Sequence, residues 1–126
     1  MTELSRSTKF FGAAGSFGLL LGVALGAFAA HSLRTHISSQ MLDVFETGVR
    51  YQMYHSLALL AVAVFADRGK MFRYAGTFYI AGVALFSFSL YALAVTGIDG
   101  LGIITPFGGL SFLAGHIFLL IGFLKI

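Results

Sequence analysis

The chain has 126 residues, of which 58% are hydrophobic and only 10% are charged. Charged residues make up about a quarter of an ordinary soluble protein, so this composition excludes a water-soluble globular domain and indicates an integral membrane protein. The net charge of +3 is modest, which argues against nucleic-acid binding. The chain has no cysteine, which excludes disulfides, thiolate nucleophiles and cysteine-ligated iron–sulfur clusters.

Four apolar runs divide the chain into predicted membrane-spanning helices. A helix needs about 20 apolar residues to cross the hydrocarbon of a bilayer, and the first, third and fourth runs reach that length. The second run is shorter and must include residues 47–50 from its polar flank. We therefore predict an all-α fold, an integral membrane four-helix bundle that forms a single transmembrane domain over residues 1–126. The predicted spans are residues 10–30, 48–66, 74–97 and 103–124.

Small residues recur at intervals of about four in the first predicted span. Such a stripe lets the backbone of another helix approach closely, and packing within the bundle is favoured over a seam between two copies. A similar stripe is expected in the fourth span. The predicted helix-packing residues are Gly18, Gly22, Gly26 and Ala30 in the first span, and Gly108, Ser111 and Gly115 in the fourth.

Basic residues are distributed unevenly between the two ends of the predicted spans. Two of the eight, Arg34 and Arg50, lie on one side, and the others lie with the N-terminus, the 67–73 loop and the C-terminus. Because cytoplasmic segments carry the excess of lysine and arginine, both termini are predicted to be cytoplasmic.

The segment between the first two spans is predicted to hold a short amphipathic helix on the outer side, at about residues 38–47. Ser38 is a good N-cap residue, and apolar residues follow it at near-helical spacing. Gly48 is either the bend into the second span or part of an unbroken helix over residues 39–66.

The last span has two possible starting points. Thr105 and Pro106 resemble an N-cap residue followed by proline at the first helical position. In that case the span is short, covering residues 106–124, and residues 97–104 form an apolar loop in the outer interface. Otherwise Pro106 kinks a longer helix.

Polar and ionisable side chains in the predicted spans gather toward the outer side. Glu46 and Arg50 stand four residues apart, so on a helix they would share a face and neutralise each other, as an ion pair that anchors the second span. Counting residues along each helix places several other polar groups at a similar depth. His116 is nearer to the middle of the membrane and is not expected to join them. The predicted outer-leaflet polar cluster comprises His31, Glu46, Arg50, Tyr54, His55, Tyr91 and Thr105.

Cofactor chemistry is not favoured by these residues. His31 and His55 at matched depth invite a haem interpretation, but histidines in such positions more often hydrogen-bond to a carboxylate or a carbonyl. A metal site built from His31, His36, Asp43 and Glu46 would match no standard ligand spacing. No catalytic triad or phosphate-binding glycine loop is present in the sequence. We therefore predict a protein without enzymatic activity, cofactor or metal.

Four stretches of the chain carry a family resemblance: GAFAAH at residues 26–31, FETGVRYQMYHSLALL at 45–60, LFSFSLY at 85–91 and TPFGG at 105–109. Together they resemble the DUF423 family, also called UPF0382, a group of small four-helix membrane proteins that includes the eukaryotic transmembrane protein 256. The family's polar positions map onto the seven residues of the predicted cluster. The chain departs from the family pattern at Ala29 and Phe88, where glycine is common, and at His116, where tryptophan is common.

The resemblance implies a plasma-membrane protein if the source is bacterial, or a mitochondrial one if it is eukaryotic, and implies no particular activity. The leading hypothesis is a structural or interaction protein, surrounded by membrane lipid, that self-associates or joins a larger membrane complex. The rival is a binder or transporter of small molecules or ions that uses the outer polar cluster. It would need to oligomerise, because four short helices leave little room for alternating access. A haem or quinone protein is the third hypothesis.

Overall fold

The computed structural model describes residues 3–126, and this part of the chain is helical with no β-strand. The five α-helices are α1 (Arg6–His31), α2 (Ser39–Phe65), α3 (Lys70–Gly82), α4 (Phe88–Thr96) and α5 (Thr105–Lys125). A π-helical segment, Val83–Ser87, joins α3 to α4 in one continuous helix, and 3-10 turns at Leu33–Thr35 and Asp99–Ile103 lie in two of the connections.

Three helical segments are long and apolar enough to cross a membrane: Arg6–Thr35, Lys70–Thr96 and Asp99–Lys125. Helix α2 has a comparable length of 27 residues, but its first half contains Asp43, Glu46 and Arg50. These three charged side chains lower the mean hydropathy of α2.

Helix α2 is unbroken, so the predicted outer amphipathic segment and the second apolar run belong to one helix. Its N-cap is Ser38, whose Oγ accepts a hydrogen bond from the backbone N–H of Met41 (3.1 Å). Gly48 lies inside this helix, buried against the ring of Tyr91 and the carbonyl of Ser87. The glycine therefore makes room for α4, and of the two alternatives for residues 38–66 the structure shows the continuous helix.

The connection from α4 to α5 is set by one glycine and one proline. Gly97 ends α4 with a φ of +70°, in the left-handed region that glycine adopts with little strain. After the Asp99–Ile103 turn, α5 begins at Thr105 with Pro106 in its first turn, where a missing N–H costs no helical hydrogen bond. Pro106 thus starts the last helix and does not kink a longer one, and the N-cap residue is Ile104, whereas Thr105 had been predicted.

The glycine face of α1 lies against α2. A Cβ added at Gly18, Gly22 or Gly26 would meet side chains of α2 within 3.5 Å, so this stripe serves helix packing within the chain. The predicted stripe includes Ala30 as its last residue, but in the structure Ala30 is exposed and its neighbour Ala29 is fully buried.

Helix α5 packs its own small residues against the continuous α3–α4 helix. Ser111 Oγ donates a hydrogen bond to the carbonyl oxygen of Phe78 (2.7 Å). Gly115 lies under the ring of Tyr79, whose Cε1 would be 2.6 Å from an added Cβ, and Gly108 lies against the backbone of the π-helical segment. The missing side chains on α5 let the two helices approach to backbone contact.

Apolar side chains fill the interior in two clusters, one toward each end of the bundle. The first lies toward the end with the termini and comprises Phe11, Leu59, Val62, Ala63, Ala66, Ala75, Tyr79 and Phe112. The second lies toward the opposite end and comprises Ala29, Leu33, Phe45 and Ala94. Buried polar side chains, described next, lie between the two.

Candidate functional site

Four residues of α2, α3 and α5 form a hydrogen-bonded chain through the interior, which we call the histidine chain. His55 Nδ1 lies 2.7 Å from the carbonyl oxygen of Tyr51. His55 Nε2 lies 3.1 Å from His116 Nε2, and His116 Nδ1 lies 2.7 Å from the hydroxyl of Tyr79. The histidine chain therefore connects three helices through two imidazole rings.

The direction of each hydrogen bond in the histidine chain follows from chemistry. A carbonyl only accepts, so His55 carries its proton on Nδ1 and accepts on Nε2. His116 must then donate from Nε2 and accept on Nδ1, where the Tyr79 hydroxyl donates. All three side chains are neutral in this arrangement, and each ring nitrogen has one partner. The chain thus satisfies its polar groups without a charge in the interior of the bundle.

Packing holds the histidine chain in place. The His55 ring, which is 4% exposed, stacks on the ring of Phe112 with centroids 3.5 Å apart and an interplanar angle of 8°. Tyr79 is fully buried. His116 is exposed at the surface of the bundle, yet both of its nitrogens bond inward. Loss of His116 would leave the buried Tyr79 hydroxyl and the buried His55 Nε2 without a partner, which costs more than the bonds themselves contribute.

The histidine chain lies near the middle of the helices. His116 is about 16 Å along α5, which is about 31 Å long, and Tyr79 is about 14 Å along α3. His55 reaches the same level because α2 begins well outside the apolar region and is continuous. The expectation that His116 lies too deep to join His55 is wrong, since it placed His55 in the outer leaflet.

A second polar network links α4, α2 and α1. The Tyr91 hydroxyl donates to Gln52 Oε1 (2.7 Å), and Gln52 Nε2 donates to the carbonyl oxygen of Gly18 (2.8 Å). Gln52 is 1% exposed. Sequence reasoning included Tyr91 but missed Gln52, although an amide within an apolar run and one turn from His55 was an available signal.

Hydroxyl groups surround the π-helical segment. Ser87 Oγ donates to the carbonyl oxygen of Gly48 (2.7 Å), and Ser89 Oγ and Thr105 Oγ1 share a hydrogen bond of 2.6 Å. π-helical turns are rare and occur frequently at functional sites. Here the turn brings the backbone of residues 83–87 against glycines of two neighbouring helices, Gly48 on α2 and Gly108 on α5.

The structure distributes the seven residues of the predicted outer cluster over several places. No hydrogen bond joins any two of them within residues 3–126. His55, Tyr91 and Thr105 belong to three different polar networks. The Arg50 guanidinium donates to Thr47 Oγ1 (2.9 Å), whereas a pair with Glu46 had been predicted.

The remaining members of the predicted cluster lie at the surface. His31 and Tyr54 are exposed and Glu46 is half-buried. Because both ring nitrogens of His55 already bond within the chain, His31 and His55 do not present the two free axial nitrogens that the haem hypothesis requires. In the part of the chain that the structure describes, no group of three or more histidine, aspartate or glutamate side chains could hold a metal ion.

Comparisons with known proteins agree with this picture of a small helical membrane protein. A family model described as "Protein of unknown function (DUF423)" matches residues 25–109. The chain is 45% identical to the UPF0382 membrane protein YwdK of Bacillus subtilis, with 93% of this chain and 98% of that protein covered. It is 46% identical to a UPF0382 membrane protein of Haemophilus influenzae, with 82% and 84% covered.

A third relative is named as an inner membrane protein. The UPF0382 inner membrane protein YgdD of Escherichia coli is 38% identical, with 97% of this chain and 92% of that protein covered. No solved structure gives a significant match. The family match over residues 25–109 and the near full-length identity to bacterial membrane proteins show that this chain belongs to the DUF423, or UPF0382, family of membrane proteins.

Proposed function

We propose that the protein is a non-enzymatic, four-span protein of the bacterial plasma membrane that assembles with a second copy of itself or within a larger membrane complex. In this proposal α2 supplies the fourth span, because residues 51–66 carry no charged side chain and pack between apolar helices. Both termini then lie in the cytoplasm, on the side with most of the basic residues.

The outward face of α1 carries this proposal. Its glycine stripe is already used against α2, yet on the outward surface the small exposed residues Ser16, Ala24 and Ala27 interrupt the large exposed side chains of Phe17, Leu20 and Val23. The outward face of α5 is different. None of its exposed positions holds a glycine, an alanine or a serine, and large side chains such as Leu113 and Leu120 cover it, which suits contact with acyl chains.

Small residues favour association between membrane helices. Lipid tails are as apolar as leucine, so helices associate in a bilayer through close packing and hydrogen bonds between them. The face of α1 with Ser16 and Ala24 permits such an approach, and the exposed Ser16 hydroxyl offers a hydrogen bond to a partner helix. The exposed face of α5 has no small residues that would permit such an approach, so α1 is the proposed contact.

Cysteine cross-linking in native membranes tests the contact, because the chain has no cysteine of its own. A disulfide forms only where two Cβ atoms come within about 4.5 Å. We expect Ala24→Cys to give an oxidant-dependent cross-linked dimer when the partner is a second copy, which supplies the second thiol. Leu113→Cys, on the exposed α5 face, is the matched control and is expected to stay uncross-linked.

Equal cross-linking of the two variants would reflect random collision and would contradict the proposal. A protein that purifies in mild detergent as a lone monomer and cross-links at neither position would also overturn it. A second pair, Ala24→Phe and Leu113→Phe, checks the result without oxidant. Only Ala24→Phe is expected to reduce the co-purification of two differently tagged copies.

A second candidate function, binding of a lipid-soluble small molecule, is favoured by an apolar groove of about 210 Å³ between α1, α2 and the π-helical segment. The buried polar residues Gln52 and Ser56 line its wall, and Ala84 stands exposed beside it. An apolar groove with few polar groups is typical of small-molecule sites. Solvent extraction and mass spectrometry of the purified protein should detect a bound molecule that Ala84→Phe removes. Its absence from the unsubstituted protein would rule out this function.

A further inference from the structure

A cleft opens where α1 begins and α2 ends. Thr8 Oγ1 donates a hydrogen bond to the carbonyl oxygen of Ala63 (3.0 Å) and ties the two helices together there. The residues that line the cleft come from α1, from the segment before it, and from the end of α2 and the turn that follows. They are Leu4, Thr8, Lys9, Gly12, Ala13, Ala63, Val64, Asp67 and Arg68.

Two cations that are distant in sequence line this cleft. Lys9 is the fourth residue of α1, and Arg68 comes from the turn after α2. Asp67 also lines the cleft, so the side chains that line the cleft carry one net positive charge. The first turn of α1 adds the positive end of a helix dipole, because Ser5 occupies only the N–H of Thr8 among the free N–H groups of that turn.

The remaining walls of the cleft are apolar and open to the lipid. Val64 is 73% exposed, whereas Leu4, which is 63% exposed, precedes α1 and lies on the headgroup side of Lys9. Val64 lies on the last turn of α2, and its surface continues along the lipid-facing side of that helix. The cleft therefore places positive charge at the level of the headgroups beside an apolar surface at the level of the acyl chains.

We infer that this cleft binds an anionic phospholipid, with its headgroup phosphate between Lys9 and Arg68 and an acyl chain along Val64 and Ala13. Lysine and arginine are the usual partners of phosphate in proteins. The apolar wall distinguishes a lipid from free phosphate, because only a lipid covers Val64 as well as the two cations. The inference does not depend on self-association through α1.

Native mass spectrometry of the full chain in detergent tests this inference with phosphatidylglycerol, phosphatidylcholine and inorganic phosphate as probes. We expect the protein to retain phosphatidylglycerol in preference to phosphatidylcholine. The double variant Lys9→Gln/Arg68→Gln should lower the affinity for phosphatidylglycerol about 30-fold, since each basic side chain contributes about fivefold. The variant Lys70→Gln/Lys125→Gln removes the same charge from the same end of the molecule, outside the cleft, and should retain the preference.

Three outcomes would overturn the inference. The first is an unchanged preference for phosphatidylglycerol in Lys9→Gln/Arg68→Gln. The second is an equal loss in both double variants, which would show a general attraction to basic charge. The third is displacement of the lipid by millimolar inorganic phosphate, which would show a phosphate site without a lipid component. All four substitutions are at exposed or cleft-lining positions, and circular dichroism of each variant checks that its helices are intact.

Discussion

Replacing Gly108 with alanine is expected to lower the free energy of unfolding by about 3 kcal/mol, a large effect for one methyl group. The added Cβ would overlap the backbone of Phe86 in the π-helical segment, with the Phe86 Cα at 2.7 Å. A flexible side chain could rotate away from such a contact, but a helix backbone held by its own hydrogen bonds cannot. Relief therefore requires α5 to move away from the α3–α4 helix.

The neighbouring residue provides a matched control for Gly108. An added Cβ at Gly109 would meet nothing within 4 Å, so Gly109→Ala should be neutral or more stable by up to about 1 kcal/mol through helix propensity. Unfolding in mixed micelles with increasing sodium dodecyl sulfate, followed by circular dichroism, measures both variants. Equal stabilities of Gly108→Ala and Gly109→Ala would show that α5 does not contact the π-helical segment as described.

The helices themselves could be predicted from the sequence because their signals are local. Each apolar run of about 20 residues lies within one helix, and the N-cap at Ser38 and the proline that opens α5 each act within one turn. The all-helical architecture and the family are confirmed. The fourth crossing by α2 and the cytoplasmic termini stay predictions. The cytoplasmic termini rest on counts of basic residues, and the arrangement of the helices does not by itself show on which side of a membrane each end lies.

The polar networks could not be predicted in the same way because they depend on where each helix begins. Taking Arg50 as the interface residue of the second span places His55 near the outer surface, whereas in the structure His55 lies at the level of His116. Side-chain direction is equally decisive, because residues adjacent in sequence point about 100° apart on a helix. Tyr54 is exposed and His55 is buried for this reason.

The π-helical segment shows a second limit of local reasoning. Nothing in the sequence of residues 83–87 distinguishes a π-helical turn from an α-helical one. The turn depends on neighbours supplied by other helices, since Gly48 and Gly108 admit its backbone closely and Ser87 bonds to the Gly48 carbonyl. Depth counts made along an ideal α-helix also drift at such a turn, because it inserts an extra residue.

Replacing His116 with leucine is expected to lower the free energy of unfolding by about 2 to 4 kcal/mol, since two buried groups lose their partner at once. The Tyr79 hydroxyl and His55 Nε2 both bond to His116, and Tyr79 is fully buried. Leucine fits an exposed position in lipid at least as well as histidine does. The loss would therefore come from the two polar groups left behind and not from the exposed ring.

A double variant separates this explanation from a simple packing effect. Tyr79→Phe alone should cost about 1 kcal/mol, because it removes the donor to His116 Nδ1. In Tyr79→Phe/His116→Leu the hydroxyl and its acceptor are both absent, so the combined cost should be smaller than the sum of the two single costs. Tyr54→Phe removes an exposed hydroxyl from the residue directly before His55 and should change stability little. Additive costs for Tyr79 and His116 would mean that the histidine chain does not hold the two side chains together, and the tautomers assigned to His55 and His116 would then lack support.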